Sequence, residues 1–305
     1  MAQTILASRK FRKKAAAHIV DGSEVQVLEC GDGLRLQGSL TRHCDPRGLF
    51  IFLHGWEGSE HSAYVLSSSR FVYDQGYSVF RLNFRDHGDT HHLNKDIFHA
   101  QRFAEVFQAV KQIAGQAGAI PVYLVGFSLG GNFGLRIARE LAKQPIKNLV
   151  HIFAISPVID PLGSAPIIDE SFMIRKYFLD KWTASLRKKQ MAFPRDYDFS
   201  DLLGEKSVMV LTERFLQLYS DFDSVESYFN GYKIGADDLA AIDQRVSIIM
   251  SEDDPVLNAK DVLELNLSSC VDLIMLKYGG HNGFFQSLHG PTWYDDYIAG
   301  ICSEY

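Results

Sequence analysis

Three residue types that together can cleave an acyl bond recur in this chain at informative places. Ser128 sits in Gly126-Phe127-Ser128-Leu129-Gly130, a G-x-S-x-G pentapeptide entered from the apolar run Val122 to Val125. His281 sits between glycines in Tyr278-Gly279-Gly280-His281-Asn282-Gly283. Between them lies the acidic turn Ser251-Glu252-Asp253-Asp254-Pro255. A serine hydroxyl is a weak nucleophile until a base takes its proton, and an imidazole does this best when a carboxylate holds its other nitrogen. The order Ser, acid, His therefore predicts nucleophilic acyl chemistry. Asp254 is favoured as the acid because Pro255 fixes the backbone after it, and Asp253 stays open as the alternative.

Such a serine must stand on a sharp turn between a strand and a helix. The glycines two residues either side let the two elements pass closely. The N-terminus of the following helix then turns free N–H groups toward any oxyanion beside the serine. One donor is expected from Leu129, the residue after the nucleophile. A second is expected from Trp56, in Leu53-His54-Gly55-Trp56-Glu57-Gly58-Ser59, which follows an apolar run early in the chain. Gly55 gives that loop room, and His54 is read as bracing it by hydrogen bonds. His87, His91, His92 and His99, with Asp86 and Asp89, lack the spacing of a metal motif and read as a polar loop, so no metal is assigned.

The elements that would position these groups alternate in type. Ser23 to Cys30 and Leu34 to Thr41 alternate apolar and polar residues around Gly31-Asp32-Gly33, which predicts a hairpin. Leu49 to Leu53, Ser78 to Asn83, Val122 to Val125, Leu149 to Ile155, Val246 to Met250 and Leu273 to Leu276 read as buried strands. Helices are expected over Phe98 to Ala114, Asn132 to Lys143 and Trp293 to Cys302. The fold class is α/β: a mostly parallel, doubly wound sheet of about eight strands with an antiparallel start. Residues 158–240 interrupt the alternation and are expected to form a mostly helical cap on a core made of 1–157 and 241–305. Phe172, Tyr177, Phe178, Trp182, Tyr219, Phe222 and Tyr228 are its candidate apolar pocket residues.

Composition bounds the partners. The 305 residues carry a formal charge of −6, which argues against nucleic acid as a partner. No stretch has the length of a membrane span, and the N-terminus lacks the order of a secretion signal. Arg9, Lys10, Arg12, Lys13 and Lys14 could touch an anionic membrane surface, although a solvated segment is the plainer reading. Cys30, Cys44, Cys270 and Cys302 form no C-x-x-C pair and read as free thiols, mostly buried, in a reducing cytoplasmic setting.

Taken together, His54 to Ser62, Asn83 to Gly88, Gly126 to Asn132, Asp253 to Val256 and Gly279 to Phe284 resemble the YheT-type branch of the α/β-hydrolase superfamily, which also includes eukaryotic abhydrolase-domain lipases. Phe222 to Phe229 is similar to that branch's cap. The resemblance implies an α/β-hydrolase fold and a serine carboxylic-ester hydrolase without metal or organic cofactor. Ser128, Asp254 and His281 would then be its triad, with a small-molecule or lipid-like acyl ester as substrate. The segment Asn83 to Gly88 departs from the branch, which more often has small residues after the arginine, and this bears on pocket shape. A thioesterase or acyltransferase would use the same triad. A non-catalytic binding protein on the same fold is a third reading.

Overall fold

The computed structural model describes residues 2–7, 16–287 and 290–304. The basic run Arg9, Lys10, Arg12, Lys13 and Lys14 lies outside them. Two short helices, α1 (Ala2–Ala7) and α2 (Ala17–Asp21), precede the hairpin β1 (Glu24–Glu29) and β2 (Arg35–Thr41). Then follow β3 (Leu49–Leu53), α3 (Ala63–Asp74), β4 (Ser78–Asn83), α4 (Phe103–Gln116), β5 (Val122–Phe127), α5 (Leu129–Glu140) and β6 (Leu149–Ile155). Four helices come next: α6 (Pro161–Glu170), α7 (Phe172–Ala192), α8 (Val208–Tyr219) and α9 (Val225–Asn230). The chain closes with β7 (Val246–Ser251), β8 (Val271–Leu276) and α10 (Trp293–Cys302).

The strands form one eight-stranded sheet in the order β1-β2-β4-β3-β5-β6-β7-β8. β2 runs antiparallel to both neighbours, and every pair from β4 to β8 is parallel. The sheet is a sandwich filling because its strands alternate side chains between two apolar layers. Ile51, Leu53, Leu82, Leu124 and Ile248 face a core shared with α4, α5 and the inserted helices. Phe50, Phe52, Val79, Tyr123, Val125 and Ile249 face another core shared with α3 and α10. Each such side chain, fully buried, contributes about 1.5–3 kcal/mol relative to exposure.

From β3 the chain crosses to β4 on one side and then returns to β5 on the other. The crevice between the C-terminal ends of β3 and β5 is thus a topological switch point, where open α/β sheets bind ligands. Leu53 pairs with Gly126 in register. This sets the loop after β3 beside Ser128.

Several expectations change. The helix expected from Phe98 starts at Phe103; the stretch before it is a loop and turn in which the Phe98 N–H donates to Asp86 Oδ2 at 2.8 Å. The helix after Ser128 starts at Leu129, three residues earlier than expected. Phe172 to Phe178 and Lys181 to Lys189 are one 21-residue helix, α7. All four cysteines are free, but only Cys30 and Cys302 are buried, and Cys44 is exposed. Among the described residues no helix is long and apolar enough to cross a membrane.

Candidate active site

The turn from β5 into α5 is built around backbone contact. A Cβ on Gly126 would lie 2.2 Å from the Gly130 carbonyl oxygen, and one on Gly130 would lie 2.4 Å from the Leu53 carbonyl oxygen. Neither neighbour is a side chain that could move aside. Ser128 between them has φ +55° and ψ −114°, outside the regions ordinary residues occupy. Its N–H donates to Ile155 O at 2.9 Å and its carbonyl accepts from Asn132 N at 3.0 Å. The strain is shared by neighbouring loops. Glu57, Asp86, Ser156 and Asn282 also have positive φ, and they follow β3, β4, β6 and β8. The loops after β3, β4, β6 and β8 thus make forced turns near Ser128, whereas the loop after β7 that carries Asp254 has no residue of positive φ.

The two adjacent aspartates do different things. Asp254 Oδ2 lies 2.8 Å from His281 Nδ1, and its Oδ1 accepts the N–H groups of Val256 at 2.8 Å and Leu257 at 3.1 Å. The carboxylate is fully buried and fully bonded. Asp253 Oδ1 instead accepts the N–H groups of Gly279 at 2.8 Å and Gly280 at 2.7 Å, so it anchors the loop that carries His281. Burial works against its charge, but the Gly280 and Gly279 donors win and hold its carboxyl below the usual range.

The loop after β3 is stitched to the loop after β4 by side chains. His54 donates from Nδ1 to Gly55 O at 2.8 Å and accepts the Phe84 N–H at Nε2 at 3.2 Å, which assigns its tautomer. His87 accepts the Glu57 N–H at Nε2 at 3.1 Å and donates from Nδ1 to Arg85 O at 2.7 Å. Asn83 bonds Glu60 through both ends of its amide, at 2.8 and 2.9 Å. Burial holds both histidines neutral: it lowers His54 well below its ordinary value, aided by His87, and lowers His87 to about 4. Sequence reasoning gave Asn83 and His87 no role in this brace. Their signal was the polar run Asn83 to Gly88, directly at the end of a buried strand. The N–H groups of Trp56 and Leu129 make no hydrogen bond to another described residue; for Leu129 this is normal for the first donor of a helix.

Two cavities open from Ser128. One runs beneath the inserted helices and is walled by Trp56, Leu129, Ile168, Trp182, Phe215 and Tyr228 among others. The other also includes His281, with Thr4, Ala7, Tyr64, Tyr177 and Asn282. The Trp56 ring stacks on Phe178 at 5.3 Å and meets Trp182 edge-on at 5.1 Å, tying the loop after β3 to α7. Of the aromatics expected to wall the first cavity, Phe178, Trp182 and Tyr228 do so. Phe172 is 68% exposed, Tyr177 borders the second cavity, and Tyr219 and Phe222 pack elsewhere. Helical spacing alone does not separate a helix's inner face from its outer one.

α7 is fixed to the loop after β4 by buried charge. Lys189 Nζ reaches Asp86 Oδ1 at 2.9 Å, Asn94 O at 2.6 Å and Asp96 O at 3.2 Å. Arg85 pairs with Glu105 beside them. Burial pushes the Asp86 carboxyl up to about 6 against the pull of Lys189, and pushes Lys189 down. His91 bonds Ser185 of α7 at 2.8 Å. Asp86, His87 and His91 of this stretch thus tie neighbouring segments together; among the described residues no group of three or more His, Cys, Asp or Glu side chains is placed to hold a metal ion.

Comparison with known proteins agrees with this architecture. The Escherichia coli (strain K12) protein named "Putative esterase YheT" is 22% identical over 280 residues, covering 84% of this chain and 76% of its own. The structure of a Pyrococcus furiosus esterase superposes with a TM-score of 0.60 at 18% identity, covering 92% of this chain and 90% of that one. A 2,6-dihydroxy-pseudo-oxynicotine hydrolase gives 0.62 at 17% identity, covering 97% of this chain and 72% of that one. A family model described as "Alpha/beta hydrolase family" matches residues 50–290. With the strand order, the turn at Ser128 and this match over most of its length, the chain belongs to the alpha/beta hydrolase family.

Proposed function

We propose that the chain is a serine hydrolase that cleaves carboxylic esters. The observation that carries this reading is the His281–Asp254 contact of 2.8 Å, with His281 lining the same cavity as Ser128 on its strained turn. In the mechanism Ser128 Oγ attacks the acyl carbonyl as His281 Nε2 takes its proton. Asp254 fixes the proton on Nδ1 and stabilises the imidazolium. The N–H groups of Trp56 and Leu129 receive the charge that develops on the carbonyl oxygen. His281 returns the proton to the departing alkoxide, leaving an acyl group on Ser128. Water, deprotonated by His281, then releases the acid and restores the serine.

The apolar cavity under α6 to α9 suits the acyl chain. In this reading residues 158–240 act as a cap on a catalytic core of 1–157 and 241–305. The esterase names of YheT and of the Pyrococcus protein support an ester as the substrate. The four free thiols suit a reducing cytoplasm.

The test is a serine-directed fluorophosphonate probe together with p-nitrophenyl esters. Wild type should label and turn over. Ser128→Ala should lose labelling and at least about 10⁴-fold in kcat. A folded wild type that neither labels nor hydrolyses would sink the reading, and equal labelling of Ser128→Ala would remove Ser128 as nucleophile.

A further inference from the structure

The two cavities at Ser128 are not equivalent, and His281 decides which half of an ester each can take. The departing alkoxide must meet the proton on His281 Nε2. His281 borders the second cavity and not the first. The alcohol half therefore belongs in the second cavity, opposite the acyl chain.

That cavity is walled by the chain's own first helix. Thr4 and Ala7 of α1 line it. The Thr4 hydroxyl oxygen accepts the N–H of His281 at 2.9 Å, across 277 positions of sequence. Gln3 Oε1 accepts the N–H of Phe285 at 2.7 Å, from the same loop. The fit is close. A Cβ on Gly280 would sit 2.8 Å from the Thr4 hydroxyl oxygen, and one on Gly283 would sit 2.7 Å from Gln3 Cβ. Ala7 is only 3% exposed. A six-residue helix has no stability of its own, so these contacts determine where it lies.

We propose that α1 is a working part of the site, with two roles that rest on the serine-hydrolase reading. Thr4 is a positioning residue: it holds the backbone of His281. Thr4 and Ala7 together are specificity-determining: they wall the cavity that takes the alcohol half, while the acyl half extends away from them under α6 to α9.

The experiment uses octanoyl esters of methanol, benzyl alcohol and naphthol, with methyl butyrate and methyl octanoate to report acyl preference. Removing residues 2–7 should raise kcat/KM for the naphthyl ester relative to the methyl ester by about tenfold. It should leave the butyrate-to-octanoate ratio unchanged. Thr4→Val keeps the shape of the side chain but not the acceptor, and should lower kcat on methyl octanoate about tenfold with KM within about twofold. Thr4→Ser should restore kcat, which a simple loss of packing would not allow. Should the shortened chain fail to fold by its melting curve, the two Thr4 variants decide alone. An unchanged alcohol ratio in the folded shortened chain, wild-type kcat in Thr4→Val, or no recovery in Thr4→Ser overturns the proposal. Fluorophosphonate labelling of Ser128 in each variant separates that result from failure of the hydrolase reading. A wild type that neither labels nor turns over any ester removes both.

Discussion

The strand-end frame and the junction with the inserted helices both border Ser128, yet they are held by different forces. In the frame, Gly126 and Gly130 allow backbone to meet backbone, and neutral groups such as His54, His87 and Asn83 tie one loop to the next. At the junction, a lysine from α7 is sunk against Asp86, beside the Arg85–Glu105 pair. Backbone contacts and neutral hydrogen bonds carry no desolvation cost of a buried charge, and the Asp253 carboxylate in the frame is satisfied by backbone N–H groups. Buried ion pairs recover their desolvation cost only while both partners are present. Under the serine-hydrolase reading, damage to the frame should lower turnover, and damage to the junction should loosen the inserted helices.

The largest effect should come from the frame. Asp254→Asn would replace an acceptor for the His281 Nδ1 proton and favour the wrong tautomer, so kcat should fall about 10⁴-fold with little change in melting temperature. Asp253→Asn still offers an oxygen to Gly279 and Gly280, and should cost about tenfold as the His281 loop loosens. Steady-state kinetics on one ester compares them directly. If Asp253→Asn proves the more damaging, the division of labour between the two carboxylates is reversed.

The junction should give the next effect, and it should be one of stability. Lys189→Met leaves Asp86 buried without its cation, at a cost of about 3–5 kcal/mol. Asp86→Asn added to Lys189→Met should recover most of this, because no uncompensated charge then remains. Urea denaturation measures both. The comparison breaks if Lys189→Met abolishes Ser128 labelling under conditions where the chain is still folded.

The same division explains what the sequence could tell. The convergence of Ser128, Asp254 and His281 on one end of the sheet was legible because each follows an apolar strand, and parallel strands deliver their C-terminal loops to one side. The strands were legible for the same local reason: Leu49 to Leu53, Ser78 to Asn83 and Leu149 to Ile155 are observed as read, and the other strands differ by one or two residues at their ends, as where β5 runs on to Phe127 and β8 starts at Val271. The choice between Asp253 and Asp254 was not, since it depends on two N–H groups 26 and 27 residues away that occupy one of them. Lys189 was unreadable for a stronger reason. In sequence it belongs to a basic run on a helix, Lys181 to Lys189, which normally faces water. Its partner Asp86 lies 103 positions earlier. The start of α4 was not legible either: Phe98 to Arg102 form a loop tied to Asp86 through the N–H of Phe98. Thr4 gave no signal at all, because its contact with His281 spans nearly the whole chain.

The smallest effect tests whether the frame depends on neutral groups. Burial lowers the folded-state value of His87 to about 4, against an ordinary value of 6.5. Between these limits the unfolded chain binds a proton that the folded chain refuses. Stability from this residue is thus complete above about pH 6.5 and is lost as pH falls toward 4. At pH 5 the loss should be on the order of 2 kcal/mol. Protonation would also remove the acceptor that holds the Glu57 N–H, one residue after Trp56. His151, also lowered to about 4 by burial, bonds Ser247 within the sheet and offers a control. His87→Gln and His151→Gln should each reduce the fall in urea midpoint between pH 7 and pH 5. Only His87→Gln should also lower kcat at pH 7, because only His87 braces the loop that carries Trp56. A pH dependence unchanged in His87→Gln would mean that the brace is held by something other than a neutral imidazole.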